Sequence, residues 1–149
     1  QLLVQASRTE VFTAGSTGLV TIEVANPGLV DVKLLVLEIL PSDDFELLSP
    51  QSVFSIGDVD SDDRETEDIQ VYVNRGVKGN LEIPISIKYR DANNKLYSSE
   101  QNIVLPLYSS GEAKKFGLVK KGNTIIILLI VVILIGAGYW WWKKRKSKK

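Results

Sequence analysis

The chain contains no cysteine, no histidine and no methionine among its 149 residues. Without cysteine there can be no disulfide framework and no thiolate metal site. The absence of histidine removes the most frequent general base, pH switch and metal ligand together. These absences predict a protein that is not an enzyme and that needs no cofactor.

Acidic residues are also absent from the last quarter of the sequence. Residues 1–112 carry all 18 Asp and Glu against 8 Lys and Arg, whereas residues 113–149 carry 10 basic residues and no acidic one. So clean a division of charge predicts that the two parts of the chain have different surroundings. The acidic part would repel phosphate, so nucleic acid is not expected as a partner.

An uncharged run of 19 residues, 124–142, predicts one transmembrane helix. A helix of this length spans about 28 Å, close to the roughly 30 Å hydrocarbon core of a bilayer. Aromatic rings prefer the headgroup level of a bilayer, and the aromatic residues at the end of the run are typical of such a belt. The anchor residues that we single out are Ile125, Leu129, Val132, Ile135, Tyr139, Trp140, Trp141 and Trp142.

A basic tail, residues 143–149, follows the predicted helix and favours a cytoplasmic C-terminus by the positive-inside rule. Its charged residues are Lys143, Lys144, Arg145, Lys146, Lys148 and Lys149. Position 1 is not methionine, so we expect either a removed leader or a longer chain upstream. The prediction is a single-pass cell-membrane protein with its N-terminal domain outside. A tail-anchored protein with a cytosolic domain is the alternative.

The N-terminal part reads as an all-β domain over residues 1–107, followed by a linker over 108–123. Residues 81–90 alternate apolar and polar side chains for ten positions, which is typical of a strand with one buried face. Pro84 cannot donate to a ladder, so one edge of this strand should be unpaired there. About seven short strands separated by turns predict an antiparallel two-sheet sandwich, with a closed barrel as the alternative.

One predicted strand, residues 32–40, departs from this alternation because it is apolar on both faces through its middle. Strands that are covered on both sides have this pattern. A local bulge would explain it without any function. The functional interpretation is an outer face that contacts another protein through Leu35, Leu37 and Ile39.

The acidic loop at Asp58, Asp60 and Asp62 has the opening spacing of a calcium-binding loop. The rest of that motif fails, because Asp63 stands where glycine is needed and Ile69 where a bidentate glutamate is needed. Two interpretations stay open, a weak extracellular calcium site and a solvated loop between strands.

Three short motifs are the run 20–28 ending in Asn-Pro-Gly, the Ile56-Gly57 step, and the segment 87–91 with its Tyr-Arg-Asp. Together they resemble the archaeal S-layer-like, CARDB-related immunoglobulin-like domains. The resemblance covers roughly residues 2–108. It implies an immunoglobulin-like sandwich with a cell-surface structural or adhesion role, and it supplies no catalytic residues. Where such domains often have Pro-Gly-Glu, this chain has the acidic loop.

These observations predict a non-enzymatic surface protein whose sandwich contacts other proteins in a surface layer or surface assembly, with no small-molecule substrate. A second hypothesis is an accessory subunit of a membrane complex such as a translocon, a glycosyltransferase or a transporter. A third is a weak calcium- or sugar-binding adhesin.

Overall fold

A computed structural model describes residues 2–119 and 133–135 of the chain. The chain divides into two compact units, Gln1–Leu118 and Val119–Lys149. Of the second unit the structure describes Val119 and three exposed helical residues at 133–135. Within the described residues, no helix has both the length and the apolar character needed to cross a membrane.

The first unit contains eight strands and one short helix. In chain order they are β1 (Leu3–Thr9), β2 (Thr17–Ala25), β3 (Val32–Ile39), β4 (Phe45–Leu47), β5 (Val53–Val59), β6 (Arg64–Val73), β7 (Asn80–Arg90), β8 (Leu96–Pro106) and α1 (Ser110–Lys115). The strands form two four-stranded sheets, in the orders β1-β2-β6-β4 and β5-β3-β7-β8. All the pairings are antiparallel.

This strand order is that of an immunoglobulin-like sandwich. The first sheet corresponds to strands A, B, E and D of an immunoglobulin domain, and β3, β7 and β8 correspond to C, F and G. The predicted two-sheet antiparallel sandwich is therefore confirmed, but it has eight strands where about seven were expected. The additional strand is β5, beside β3. Its alternation is broken by Gly57, which has φ 96°, so the sequence pattern there is weak.

The core lies between the sheets and consists of the inward-facing aliphatic side chains. In β7, the alternation that predicted a half-buried strand places Leu81, Ile83, Ile85 and Ile87 in the core with almost no exposure. Ile22 and Ile69, from the two central strands of the first sheet, are also fully buried. The continuous core gives this unit its own source of stability.

The first part of the segment predicted as a linker, 108–123, contains a short helix, α1, at Ser110–Lys115. Helix α1 begins with a capping box, in which the Ser109 hydroxyl accepts from the Glu112 amide and the Glu112 carboxylate accepts from the Ser109 amide. Ala113 on this helix is fully buried. The Tyr108 amide donates to the carbonyl oxygen of Phe12 at 2.8 Å. The ordered unit therefore extends about ten residues beyond the predicted boundary at 107.

Candidate functional site

Three connections lie together at one end of the sandwich, which we call the loop end. They are the β2–β3 loop (26–31), the β5–β6 turn (60–63) and the β7–β8 loop (91–95). The cross-strand pairs that bring them together are Ala25 with Arg64, Val32 with Val59, and Lys33 with Arg90. The end of β8 at Pro106 is paired with Asn80 at the opposite end of the sandwich.

Asn26 holds the loop end together. Its buried side-chain amide donates to the carbonyl oxygens of Val30 at 3.0 Å, Val59 at 3.1 Å and Asp60 at 3.1 Å. Its side-chain oxygen accepts from the Gly28 amide at 3.2 Å. One side chain thus fixes the β2–β3 loop to the β5–β6 turn, which follows it by more than thirty residues.

The β7–β8 loop is fixed by Asp91. Its carboxylate accepts from the backbone amides of Asn93 at 2.9 Å and Lys95 at 3.0 Å and from the Tyr97 hydroxyl at 3.1 Å. These donors, the Lys95 amide foremost, lower the pKa of Asp91 below its usual value. The Tyr97 ring stacks on Tyr89 with a centroid distance of 5.3 Å. The loop end is therefore preorganised, which lowers the entropy cost of binding.

Large apolar side chains are unusually exposed at the loop end. Leu29 is 97% exposed and Leu34 is 64% exposed, and Val30 and Leu96 are also more than half exposed. These four are among the five most exposed large apolar residues of the described sandwich, the fifth being Phe116. Beside them a groove of about 330 Å³ is lined by Tyr89, Tyr97 and the β2–β3 loop. Several exposed large apolar side chains at one end of a folded domain are typical of a binding site.

The sequence analysis missed these four residues. Leu29 and Val30 directly follow the Asn-Pro-Gly turn, and two large apolar residues in a turn are a signal that could have identified them. The positions of Leu34 and Leu96 carry no such signal, because only the folded topology brings them to the same end.

The charge of the loop end is acidic. Its six aspartates are Asp31, Asp58, Asp60, Asp62, Asp63 and Asp91, and only Asp58 forms a salt bridge among the described residues. Four basic residues lie at or beside this end and contact groups of the domain itself; of these, Arg64 lies 3.8 Å from Glu23 and the Lys95 ammonium lies 5.1 Å from the centre of the Tyr97 ring. Lys33 pairs with Asp58 at 3.2 Å, and the Arg90 guanidinium donates to the Asn94 carbonyl at 2.8 Å.

The calcium prediction for Asp58, Asp60 and Asp62 is not supported by the geometry. Asp58 accepts from the Leu34 amide at 3.0 Å and pairs with Lys33, and both interactions lower the pKa of its carboxyl, the amide more strongly. Asp62 lies in a tight turn with φ 62°. Over residues 2–119 and 133–135, no three acidic side chains gather as metal ligands. The spacing that suggested a metal site instead belongs to a strand end and the turn that follows it.

The predicted outward contact through Leu35, Leu37 and Ile39 is wrong, because all three side chains are buried in the core. The alternative explanation, a bulge, is confirmed. The register of β3 shifts between Val32 and Leu35 against β5, and Leu34 has φ 53°. Because the bulge inserts an extra residue, Val32 and Leu35 both face the core although they are three positions apart, and of the two consecutive leucines here one is buried and the other exposed. The exposed one is Leu34.

The predicted anchor and basic tail lie outside the described residues, apart from 133–135. Ile135, one of the predicted anchor residues, is helical and exposed, as are its two predecessors. The transmembrane helix over 124–142, the aromatic belt and the cytoplasmic tail remain predictions.

The strand order and the absence of long helices from the described sandwich define the class of this domain as an immunoglobulin-like β-sandwich. No protein-family model matches the chain. No curated protein matches it either.

Solved structures align with this chain at low sequence identity. The major pilin subunit of Bacillus cereus aligns over 73% of this chain and 41% of its own, with 10% identity and a TM-score of 0.47. An uncharacterized Nocardia farcinica protein with an immunoglobulin-like fold aligns over 71% and 98%, with 10% identity and a TM-score of 0.44. The E. coli chaperone DraB aligns over 74% and 55%, with 18% identity and a TM-score of 0.38. This chain spans about two fifths of the pilin's length. Likeness at this level concerns the fold alone.

Proposed function

We propose that this chain is a non-enzymatic, membrane-anchored surface protein that binds another protein through its loop end. The observation that carries the proposal is the cluster of exposed Leu29, Val30, Leu34 and Leu96 on a preorganised acidic surface. Exposed leucines cost solubility, and their concentration at one end of the domain is explained by a partner that covers them.

The chemistry of the partner follows from the surface. Apolar side chains at the centre of an interface supply binding energy, and charges at the rim supply orientation and speed of association. The loop end offers aspartates that have no salt-bridge partner in the described part of the chain, including Asp31, Asp60 and Asp62. The complementary surface is an apolar patch surrounded by lysine or arginine. A surface-layer or surface-assembly protein is the setting that the sequence resemblance implies.

Binding of the isolated first unit to a native cell-surface preparation tests this proposal. The Gln1–Leu118 unit encloses its own core and can be produced alone. We expect the pair Leu29→Ser and Leu34→Ser to weaken binding at least about tenfold, since two buried leucines contribute more than about 1.4 kcal/mol. Raising the salt concentration should slow association with the wild-type unit.

The matched control is the pair Leu19→Ser and Leu48→Ser, which removes two other exposed leucines of the same sandwich. We expect this pair to bind as the wild type does. Equal loss of binding in both pairs, or loss in the control alone, would rule out the loop end as the contact surface.

The anchor part of the proposal rests on the uncharged run over 124–142 and the basic residues after it. We expect the full chain to sediment with membranes in the absence of detergent and the Gln1–Leu118 unit to stay in the supernatant. Recovery of both in the supernatant would remove the anchor and leave the loop-end contact to be judged by its own test.

A further inference from the structure

The free edge of β8 differs from the other three sheet edges. Strand β4 has only three residues, β1 has a register shift between Ala6 and Arg8, and β5 is interrupted by Gly57 in the left-handed region. Such features prevent edge-to-edge pairing. Strand β8 pairs with β7 over eleven consecutive residues without a shift, so its other side is a long and regular edge.

The direction of the backbone groups on β8 follows from Pro84. The Pro84 carbonyl accepts from the Leu40 amide at 2.9 Å, just past the last β3–β7 pair, so the backbone of Pro84 faces β3. This orientation fits the missing N–H of proline, because the regular β3–β7 pairs have ended there. Its cross-strand neighbour, Asn102, therefore points its N–H and C=O away from β7.

By alternation, the residues whose N–H and C=O face the free edge are Leu96, Ser98, Glu100, Asn102 and Val104. Within the described residues, none of these outward backbone groups has a hydrogen-bond partner. The next outward amide, that of Tyr108, is accepted by the Phe12 carbonyl. Strand β1 also lies close to part of β8, so the edge is covered in part, while its outward backbone groups from Leu96 to Val104 stay unpaired among the described residues.

The charge of this edge is low in an otherwise acidic unit. Glu100 is the only charged residue in β8, and the edge has no lysine, the usual protection against pairing. Residues 1–118 as a whole carry 18 acidic and 10 basic residues. Two copies of the unit have the same net charge and repel each other, and β8 contributes only one acidic residue to that repulsion.

We propose that β8 pairs antiparallel with β8 of a second copy of this chain, about a two-fold axis at Gln101. In this register Glu100 faces Asn102 of the second copy, so a carboxylate meets an amide donor. Shifting the axis to Glu100 would place two carboxylates directly opposite each other, which is unfavourable. The two β5-β3-β7-β8 sheets then form one eight-stranded sheet. This pairing uses the side of the sandwich and shares only Leu96 with the loop end, so the variants at Leu29 and Leu34 test the loop-end contact separately.

Single-cysteine variants test the register, because the chain has no cysteine of its own. At the proposed axis the two copies of residue 101 form a non-hydrogen-bonded pair with Cα atoms about 4.5 Å apart, within the span of a disulfide. We expect Gln101→Cys in the Gln1–Leu118 unit to form a disulfide-linked dimer at least about ten times faster than Ser99→Cys on mild oxidation. The control residue lies on the same face, but its two copies would be four positions apart, about 13 Å.

Proline variants test the backbone contact. Ser98→Pro removes an outward N–H and leaves the β7–β8 ladder intact, so we expect an unchanged melting temperature and loss of the dimer in sedimentation equilibrium. Ser99→Pro removes an N–H that faces β7, so we expect a lower melting temperature.

Equal crosslinking of the two cysteine variants would overturn the proposal. So would a wild-type unit that remains monomeric at about 1 mM, since even a dimer of only −4 kcal/mol would be half formed there.

Discussion

Replacing Asn26 by aspartate should destabilise the sandwich more than any other substitution of similar size at the loop end. The variant keeps the shape of the side chain but exchanges its amide donor for a carboxylate that faces the carbonyl oxygens of Val30, Val59 and Asp60. The amide has two hydrogens, so two donated bonds are at stake, whereas the carboxylate can still accept from the Gly28 amide. At about 1 kcal/mol per neutral bond, the loss of the donated bonds costs about 2 kcal/mol before any repulsion.

The pH dependence separates this explanation from a general loss of packing. Burial and the facing carbonyl oxygens would raise the pKa of the new carboxyl at position 26. A raised folded pKa means that stability is present at low pH and is lost as the pH rises through that pKa. We therefore expect the difference in unfolding free energy between wild type and Asn26→Asp to be smallest near pH 3 to 4 and to grow toward neutral pH.

Urea unfolding of the Gln1–Leu118 unit across this pH range measures both effects. Asn74→Asp is the matched control, because the Asn74 amide donates to the Asp43 carbonyl at 2.7 Å on an exposed surface. We expect it to cost at most about 1 kcal/mol. A penalty for Asn26→Asp that equals that of the control, or that does not change with pH, would refute the role of Asn26 in the loop end.

Three further predictions concern stability. Ile85→Asp should unfold the unit because it buries an unpaired carboxylate in the core, whereas Asp60→Ala, at an exposed turn, should change unfolding free energy by less than about 0.5 kcal/mol in urea. Gly18→Ala should cost about 1–3 kcal/mol because its Cβ would lie 2.9 Å from a backbone carbon, and Gly76→Ala, with open space, should be neutral in the same assay. Asp91→Asn should lose stability relative to wild type above about pH 4, and the difference should shrink at lower pH. Because the folded pKa of Asp91 is lowered, its contribution to stability is fully present above its unfolded pKa and is lost as the pH falls through the folded pKa, so a pH-independent difference would contradict this account.

The sequence was sufficient to predict the sandwich because β2, β6 and β7 keep a strict period of two, which fixes which residues enter the core. It was misleading at Leu35 and Leu37, since a bulge at Leu34 gives the same apolar run as a strand that is covered on both faces. The capping box from Ser109 to Glu112 was a readable signal for the helix in the predicted linker.

The loop end itself could not be predicted from local patterns. Its central contact joins Asn26 to Val59, and nothing near either residue indicates the other. Likewise, the sequence of β8 alternates in the same way as that of a strand inside a sheet, so it does not reveal a free edge. Which strand lies at an edge depends on the order of all eight strands, so the β8 surface becomes visible only in the folded domain.

The β8 pairing has a further consequence for a chain anchored at its C-terminal end. Strand β8 runs away from the loop end for eleven residues, about 35 Å. An antiparallel pair therefore sends the C-terminal ends of the two copies in opposite directions.

The ordered unit ends at Leu118 and the predicted membrane span begins at Thr124, so the chain between them reaches at most about 20 Å. For sandwiches that stand upright on the membrane, the pair would join copies on two facing membranes. Vesicles that carry the full chain should then aggregate, and vesicles that carry Ser98→Pro should stay dispersed. Dimers that form within single vesicles, without aggregation, would show instead that the sandwiches lie flat on one membrane.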